Sequence, residues 1–504
     1  MATVKDITTM CRAGNVMEAY EIAQADLNAS PQDIWTQRKM GWALYYMLKM
    51  DVEYKDSSAF INHVEELMNL DLLTITSDSL IFDNVLWKIA EFIKNIPSES
   101  VNEEMDKLFS LLRNFTFTPS KGYSYLLKSC LHLETWAHLV EFFEWWNLDN
   151  LLPDDYQQFK LENGRKIMSL AEQVYIAYSK ALLRQNDKNK IHEFLPKIEK
   201  LMEDNPSMIY PGYFCGKLML ATGAAKEDAL NIVMPFVRKK QSEFWIWQLL
   251  SEIYNEDADI CLACLLRAVH SNTQETFLGK IRMKLAFIYL SHKDYRRAKY
   301  HLDKMQQSYI QQGWHLPYEV QNWLKESWMQ KTVADGSDSI NYKQITDAIL
   351  LNGTNESLAV VTHIDNVSKR AILVYGERMR AVVKLQKLNG KMFDGSILKI
   401  NWIPTHDGQI DILGSVLVNQ KTFVGNTYIK HLNGRILKLE NKSFAFIEGQ
   451  GIKCFITPKM VEKYHLNGGE LVTVIAAFNF NKKRNEWSWM CVSIKVQNNT
   501  PDNC

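Results

Sequence analysis

Residues 247–263 read WQLLSEIYNEDADICLA, and the spacing inside this stretch decides the fold of the N-terminal two-thirds of the chain. Tyr254 precedes Ala263 by nine residues. The same step recurs in the two neighbouring segments, at Leu220 with Ala229 and at Tyr289 with Ala298. The three alanines are therefore 34 and 35 residues apart, which predicts stacked pairs of α-helices that bury their apolar faces against one another.

The central segment resembles the tetratricopeptide repeat at four positions, Trp247, Leu250, Tyr254 and Ala263. Ser251 stands where that family has glycine, and Arg282 stands at the Trp position of the third copy. The resemblance implies tetratricopeptide-like repeats over residues 209–331, with small residues where paired helices approach closely. It also implies a concave groove that binds a protein partner, lined by Trp247, Glu252, Arg282 and Lys284.

The same register begins at the N-terminus. Ala19, Pro31 and Gly41 follow one another at intervals of 12 and 10 residues, as in two further repeats. Apolar residues keep a helical period after residue 68, although the repeat length becomes irregular. We therefore expect helical repeats over residues 1–208, irregular after 68.

Composition changes after residue 339. Ten glycines fall in residues 1–339 and twelve in the much shorter segment 340–504, which indicates a change from helices to strands and turns. Residues 332–344 are predicted to be a linker.

The sequence has no long uncharged apolar run and no basic, apolar start, so we expect a cytoplasmic protein without membrane contact. Its eight scattered cysteines fit a reducing compartment.

The strand-rich tail contains an internal repeat. Gly395 and Gly468 are 73 residues apart, as are Val361 and Gly434, and similar short strands surround each pair. Two five-stranded barrels are predicted, at 345–420 and 428–498, so the fold class is a helical solenoid followed by two β-barrels.

The second barrel resembles the cold-shock type of oligonucleotide-binding barrel. Residues 442–447 read KSFAFI and residues 454–458 read CFITP, close to the second and third strand motifs of that family. Alternation along a strand puts Phe444 and Phe446 on one face, with Phe455 beside them. The resemblance implies that these rings stack on unpaired bases of RNA or single-stranded DNA.

Residues 430–498 carry a net charge of +6, which suits a polyanionic ligand. The predicted nucleic-acid-binding residues are Arg435, Lys438, Lys442, Phe444, Phe446, Lys453, Phe455, Lys482, Lys483, Arg484 and Trp487.

Departures from the cold-shock pattern leave an alternative open. Lys438 stands at the position of a stacking Trp, and Thr457 and Pro458 replace His and Phe. In the alternative, Phe444, Phe446 and Trp489 face the barrel core or the helical part.

The first barrel, which has a net charge of about +2, is expected to be a spacer or interface domain. Its weak binding edge is predicted at Tyr375, Arg378 and Arg380.

Signals for catalysis are poor. Cys261, Cys264 and His270 form the nearest approach to a metal site, but no second Cys pair follows at zinc-ribbon spacing, and we expect core thiols. No catalytic residue, cofactor or metal is predicted.

The expected function is non-enzymatic binding of RNA or single-stranded DNA by the last barrel, with a protein partner on the helical repeats.

Two alternatives stay open, a pure protein scaffold with degenerate barrels and the regulatory subunit of an enzyme encoded elsewhere. The groove surface could also pack against the basic tail of the same chain. The order of domains resembles that of proteins from bacterial conflict or phage-defence loci.

Overall fold

The computed structural model describes residues 2–97, 99–164, 166–405, 408–420, 423–481 and 484–497. The chain forms two compact units, one made of residues 1–261 and 271–281 and the other of residues 262–270 and 282–504. Among the described residues, no helix has both the length and the apolar character that crossing a bilayer requires.

The first unit is helical. Its helices are α1 (Val4–Arg12), α2 (Val16–Ala29), α3 (Ile34–Tyr54), α4 (Ser57–Met68), α5 (Ser79–Asn95), α6 (Val101–Leu112), α7 (Lys121–Ser129), α8 (Leu139–Trp146), α9 (Leu170–Gln185), α10 (Lys188–Asp204), α11 (Tyr210–Thr222), α12 (Lys226–Lys239) and α13 (Phe244–Ile253). A small hairpin of β1 (Phe159–Lys160) and β2 (Lys166–Ile167) interrupts the irregular part before α9.

Six further helices follow along the described part of the chain. Some contain residues of both units, and the others belong to the second unit. They are α14 (Ala258–Val269), α15 (Gly279–Ser291), α16 (Tyr295–Gln312), α17 (Tyr318–Lys325), α18 (Ser327–Lys331) and α19 (Tyr342–Leu351). Local chemistry fixes several of the ends. Asp187 caps α10 by accepting hydrogen bonds from the amides of Asn189 and Lys190, and Gly223 ends α11 with φ of 82°.

Small residues lie where the repeat spacing predicts close packing. Ala229, Ala263 and Ala298 are each fully buried in a helix. At Gly216 in α11, an added Cβ would lie 2.2 Å from Val233 Cγ1 of α12. These positions behave as the repeat pattern expects, while the assignment to the tetratricopeptide family itself stays a prediction.

The predicted linker is fixed against the helices of the second unit. Arg297 donates from Nε to the carbonyl of Ser337 at 2.8 Å, and Tyr289 Oη lies 3.0 Å from Ser339 Oγ. His270 Nε2 lies 2.9 Å from Asp338 Oδ1. Helix α19 begins at residue 342, inside the segment that the sequence assigned to the linker and the first barrel, and the first strand starts only at Asn355.

Ten strands follow α19 and form two sheets with one connectivity. The first sheet contains β3 (Asn355–Asp365), β4 (Arg370–Gly376), β5 (Met379–Lys384), β6 (Ile397–Pro404) and β7 (Ile410–Leu417), in the order β5-β4-β3-β6-β7. The second contains β8 (Ile429–Leu437), β9 (Ala445–Gly449), β10 (Ile452–Ile456), β11 (Leu471–Asn481) and β12 (Glu486–Val496), with α20 (Pro458–Lys463) before β11. The predicted change from helices to two related β-domains is confirmed.

The two sheets differ in closure. The second is a closed barrel, because β10 pairs with both β9 and β12. Among the described residues of the first sheet, no ladder joins β5 to β7, so it is a curled half-barrel and not the closed barrel expected from the sequence. The segment that follows β5 contacts β7 instead, where the backbone amide of Asn389 donates to Ser415 Oγ at 2.7 Å.

The structural repeat has a slightly different register from the predicted one. Val361 donates from its amide to the carbonyl of Ser396 at 2.9 Å, and Ile436 donates to that of Glu470 at 3.0 Å. The equivalent residues are therefore 75 and 74 positions apart, so the predicted spacing of 73 is wrong by one or two residues. Gly468 and Gly469 are adjacent and both have positive φ, so the sequence alone does not distinguish which of them matches Gly395.

The half-barrel and the closed barrel share an apolar interface within the second unit. Val360, Val374 and Ile397 of the first sheet form one buried cluster with four residues of the barrel, Ile429, Ile475, Ala477 and Val492. Tyr428 Oη donates to the carbonyl of Leu358 at 2.9 Å. An added Cβ at Gly395 would lie 2.6 Å from Ser493 Oγ, so this contact requires glycine. The first sheet therefore has the role of an interface domain.

Replacing Gly216 with Ala is expected to destabilise the helical unit, because the new methyl group overlaps Val233 and overpacking costs about 1–3 kcal/mol. Gly212 in the same helix is the matched control, since an added Cβ there has its nearest contact at 3.5 Å. Gly212→Ala should be neutral or stabilising through helix propensity. Thermal unfolding of both variants measures the difference, and equal midpoints would contradict the close α11–α12 contact.

A fragment of residues 425–504 is expected to be much less stable than one of residues 340–504. The shorter fragment exposes Ile429, Ile475 and Val492, and burial of each such side chain is worth roughly 1.5–3 kcal/mol. Thermal unfolding followed by circular dichroism compares the two. Equal midpoints would show that the barrel does not depend on the first sheet.

Candidate nucleic-acid interface

Alternation along β9 and β10 separates a core face from an outer face. Ala445, Ile447, Cys454 and Ile456 are fully buried and belong to the core of the closed barrel. The intervening residues on each strand therefore point away from that core. The outer face of these two strands is where the sequence placed its aromatic residues.

Three phenylalanines meet on this outer face, and we call them the Phe platform: Phe444, Phe446 and Phe455. Their ring centroids are 5.6 to 5.7 Å apart, with Phe446 directly opposite Phe455 in the β9–β10 ladder. Each ring is partly exposed. The alternative in which Phe444 and Phe446 face the barrel core is therefore wrong.

Two apolar neighbours extend the Phe platform across adjacent strands. Leu437 of β8 lies opposite Phe446 and is 46% exposed. Met490 of β12 lies beside Phe455 where β10 and β12 pair in parallel. Sequence reasoning missed both residues, because strand pairing between distant segments sets their positions.

The predicted cations have different local roles. Lys453 Nζ lies 4.8 Å from the Phe446 ring centroid and 3.0 Å from Glu448 Oε1. Lys442 is exposed, two residues before Phe444. Lys438 donates from Nζ to the carbonyl of Leu466 at 3.0 Å, at the position where the cold-shock family has a stacking Trp. Lys453 is therefore a cation at the platform, and Lys442 is an exposed cation close to it in sequence.

Arg435 and Glu470 organise the loop before β11. Arg435 donates from Nη1 to the carbonyl of Gly469 at 3.1 Å. The Glu470 carboxylate accepts hydrogen bonds from the amides of Asn467 and Gly468 at 2.6 and 2.9 Å. Although burial alone would raise the pKa of Glu470, these backbone bonds and the Lys438 charge lower it below the usual value. The carboxylate stays ionised and holds the loop in place.

A second aromatic cluster lies on the β11–β12 hairpin. Trp487 and Trp489 share one face, as the sequence predicts, and Phe478 contacts both rings at centroid distances of 6.2 and 5.6 Å. Phe480 packs against Trp487 at 5.7 Å. Trp489 also packs against the barrel core, so the core-facing alternative holds for this residue. Strand alternation in β11 could have identified Phe478 and Phe480.

The turn of this hairpin is only partly described. The predicted residues Lys482 and Lys483 lie outside the described residues. Arg484 is exposed and its Nη1 lies 3.7 Å from Glu486 Oε1. In the second cluster, Lys430 contributes a positive charge 5.7 Å from the Trp489 ring centroid.

The first sheet lacks an equivalent platform. Tyr375 is 7% exposed and packs edge-on against Trp402 in the core of that sheet, so its predicted place on a binding edge is wrong. Arg380 Nε is buried without a hydrogen-bond partner. Arg378 lies in the turn between β4 and β5 with φ of 55°.

The predicted groove residues are placed differently from expectation. Trp247 is 1% exposed and donates from Nε1 to the carbonyl of Gln241, and Arg282 is 4% exposed. The premise that packing leaves these two side chains free is wrong, because both are core residues. Glu252 is paired with Lys217, and Lys284 is half-buried.

Arg282 has a buried imidazole beside it. Its Nη1 lies 2.9 Å from His301 Nδ1. Burial, followed by the Arg282 charge, lowers the pKa of His301 to about 3, so the imidazole is neutral. Cys264 is also buried, and within the described residues no group of three or more His, Cys, Asp or Glu side chains could hold a metal ion.

The closed five-stranded barrel with outward phenylalanines defines a domain of the oligonucleotide-binding type. Residues 430–494, which cover this barrel, match the S1/CSD-like domain 2 of the TOTE conflict systems. Residues 209–348 match a domain of unknown function, DUF7017. Among curated proteins, none matches the chain. The cold-shock resemblance of the last barrel is confirmed, and a conflict-system setting fits the match.

Proposed function

We propose that this protein binds single-stranded nucleic acid on the Phe platform, in a conflict or defence system, and that it acts by binding and not by catalysis. The observation that carries the proposal is the partly exposed contact of Phe444, Phe446 and Phe455 on the outer face of β9 and β10. Base stacking on such rings is worth about 1–3 kcal/mol per base and tolerates any sequence.

Charge supports the same ligand. The segment 430–498 has a net charge of +6, Lys453 lies over the Phe446 ring, and Lys442 is exposed two residues before Phe444. Cations around an aromatic surface neutralise phosphates and position the strand, while the rings take the bases. The match to an S1/CSD-like domain agrees with this reading. Both RNA and single-stranded DNA are ligands under the proposal, since stacking alone does not distinguish them.

The second aromatic cluster extends the proposed path of the strand. Phe480 and Trp487 lie near the hairpin turn, beyond the part of β11 and β12 that closes the barrel. Stacking there adds contacts to bases that leave the Phe platform. This cluster has a smaller part in the proposed site than the Phe platform, because Trp489 packs against the barrel core.

The double variant Phe444→Ala, Phe446→Ala is expected to weaken binding of single-stranded RNA or DNA by about 1–3 kcal/mol for each stacked base lost. The fold should persist, because neither ring belongs to the barrel core. Fluorescence anisotropy with labelled oligonucleotides measures the affinity. The control is Phe287→Ala, which removes an exposed ring, 62% accessible, from helix α15.

Unchanged affinity in a folded double variant would contradict the proposal and favour a protein scaffold with degenerate barrels. Loss of affinity in Phe287→Ala as well would show that the effect is not specific to the platform. Circular dichroism melting separates both results from unfolding.

We also propose a protein partner on the helical part. Because Trp247 and Arg282 are buried, the remaining candidate contacts are Glu252 in the first unit and Lys284 in the second, and each is tested by itself. Reversing the charge of Glu252 and of Lys284 should remove a co-purifying protein and leave oligonucleotide affinity unchanged. Quantitative mass spectrometry of material purified from the native cell measures this. An identical set of partners in both preparations would contradict the proposal.

A further inference from the structure

Glu448 and Lys453 form an ion pair in the β9–β10 ladder, two positions from the Phe446–Phe455 pair of the Phe platform. The two residues lie directly opposite each other, and Lys453 Nζ is 3.0 Å from Glu448 Oε1. The same ammonium lies 4.8 Å from the centroid of the Phe446 ring. One cation is therefore held by a carboxylate against one of the three platform rings.

This arrangement conflicts with the proposed use of the ring. A base that stacks on the face of Phe446 over which the Lys453 ammonium lies must displace this ammonium, which is attracted to the ring by its quadrupole. In a complex with a strand, the ammonium would bind more favourably to a phosphate. A short rotation of the Lys453 side chain would allow this contact. Two states of Lys453 follow, one over the ring and one on the phosphate backbone.

We propose that Glu448 is a latch that keeps Lys453 on the Phe446 ring in the free protein, and that a bound strand releases Lys453 to a phosphate. The proposal rests on the proposed function of the Phe platform. The two side chains are 55% and 57% exposed, and ion pairs at such exposure are weak, so a ligand can open this one. The latch lowers affinity and favours ligands that supply both a base and an adjacent phosphate.

Glu448→Gln removes the carboxylate that holds Lys453. The variant should bind single-stranded oligonucleotide about two- to fivefold more tightly, which is the range that surface ion pairs contribute. The slope of log affinity against log salt should stay as in the wild type, because Lys453 reaches the phosphate in both complexes, and it should become shallower by about 0.7 in Lys453→Met. The gain should vanish in a Lys453→Met background, since the latch acts only through Lys453.

The control for net charge is Glu462→Gln, which removes one exposed carboxylate from helix α20 on the same barrel. It should change affinity by less than Glu448→Gln and leave the salt slope unchanged. Wild type, the three single variants and the double variant at 448 and 453 are compared as full-length protein. The probes are labelled single-stranded RNA and DNA of about 12 nucleotides, within the usual site size of these barrels.

The outcomes separate the latch from the function on which it rests. Equal affinity of Glu448→Gln and Glu462→Gln, or an unchanged salt slope in Lys453→Met, in a protein that binds, would overturn the latch alone. A gain that persists with Lys453→Met would also overturn it, because Glu448 would then act as a simple repulsive charge. Absence of binding in every variant would overturn the proposed function and the latch with it. Thermal unfolding of each variant checks that the barrel stays folded.

Discussion

Closure of the second sheet by the β9–β10 ladder and the parallel β10–β12 pair is the constraint on which the proposed site depends. A closed barrel has one inner face, which Ala445, Ile447, Cys454 and Ile456 fill. Alternation then leaves Phe444, Phe446 and Phe455 no position except the outside. A partly exposed group of three phenylalanines is unfavourable in water without a ligand. The rings nevertheless lie at the surface, because the alternate residues of the same strands pack in the core.

The two β-domains share a strand order but have different tasks. In the first sheet the positions that correspond to Phe446 and Phe455 hold Ile372 and Val382, which lie opposite each other and are not aromatic, and the sheet does not close among its described residues. Its outer surface covers β11 and β12 of the barrel through Val360, Val374 and Ile397. A duplicated fold thus provides one domain for a ligand and one domain that supports it.

Sequence reasoning succeeded where the information is local. The parity of Phe444 and Phe446 depends only on neighbouring residues of one strand, and Ala229 is small because its own helix pair is close. It failed where distant segments decide. The burial of Trp247 and Arg282 depends on tertiary packing, and so does the pairing of Met490 with Phe455. The register of the repeat was missed because two adjacent glycines, Gly468 and Gly469, both suit the turn before β11.

The packed interface between the half-barrel and the barrel also fixes how the Phe platform is placed relative to the first sheet. Domains joined by a flexible tether engage a polymer one after the other, and their combined affinity depends on the local concentration that the tether allows. Here Gly395 lies against Ser493, and the cluster around Ile475 joins the two bodies. Under the proposed function, a strand on the Phe platform therefore meets a domain whose position relative to the first sheet is already fixed before binding.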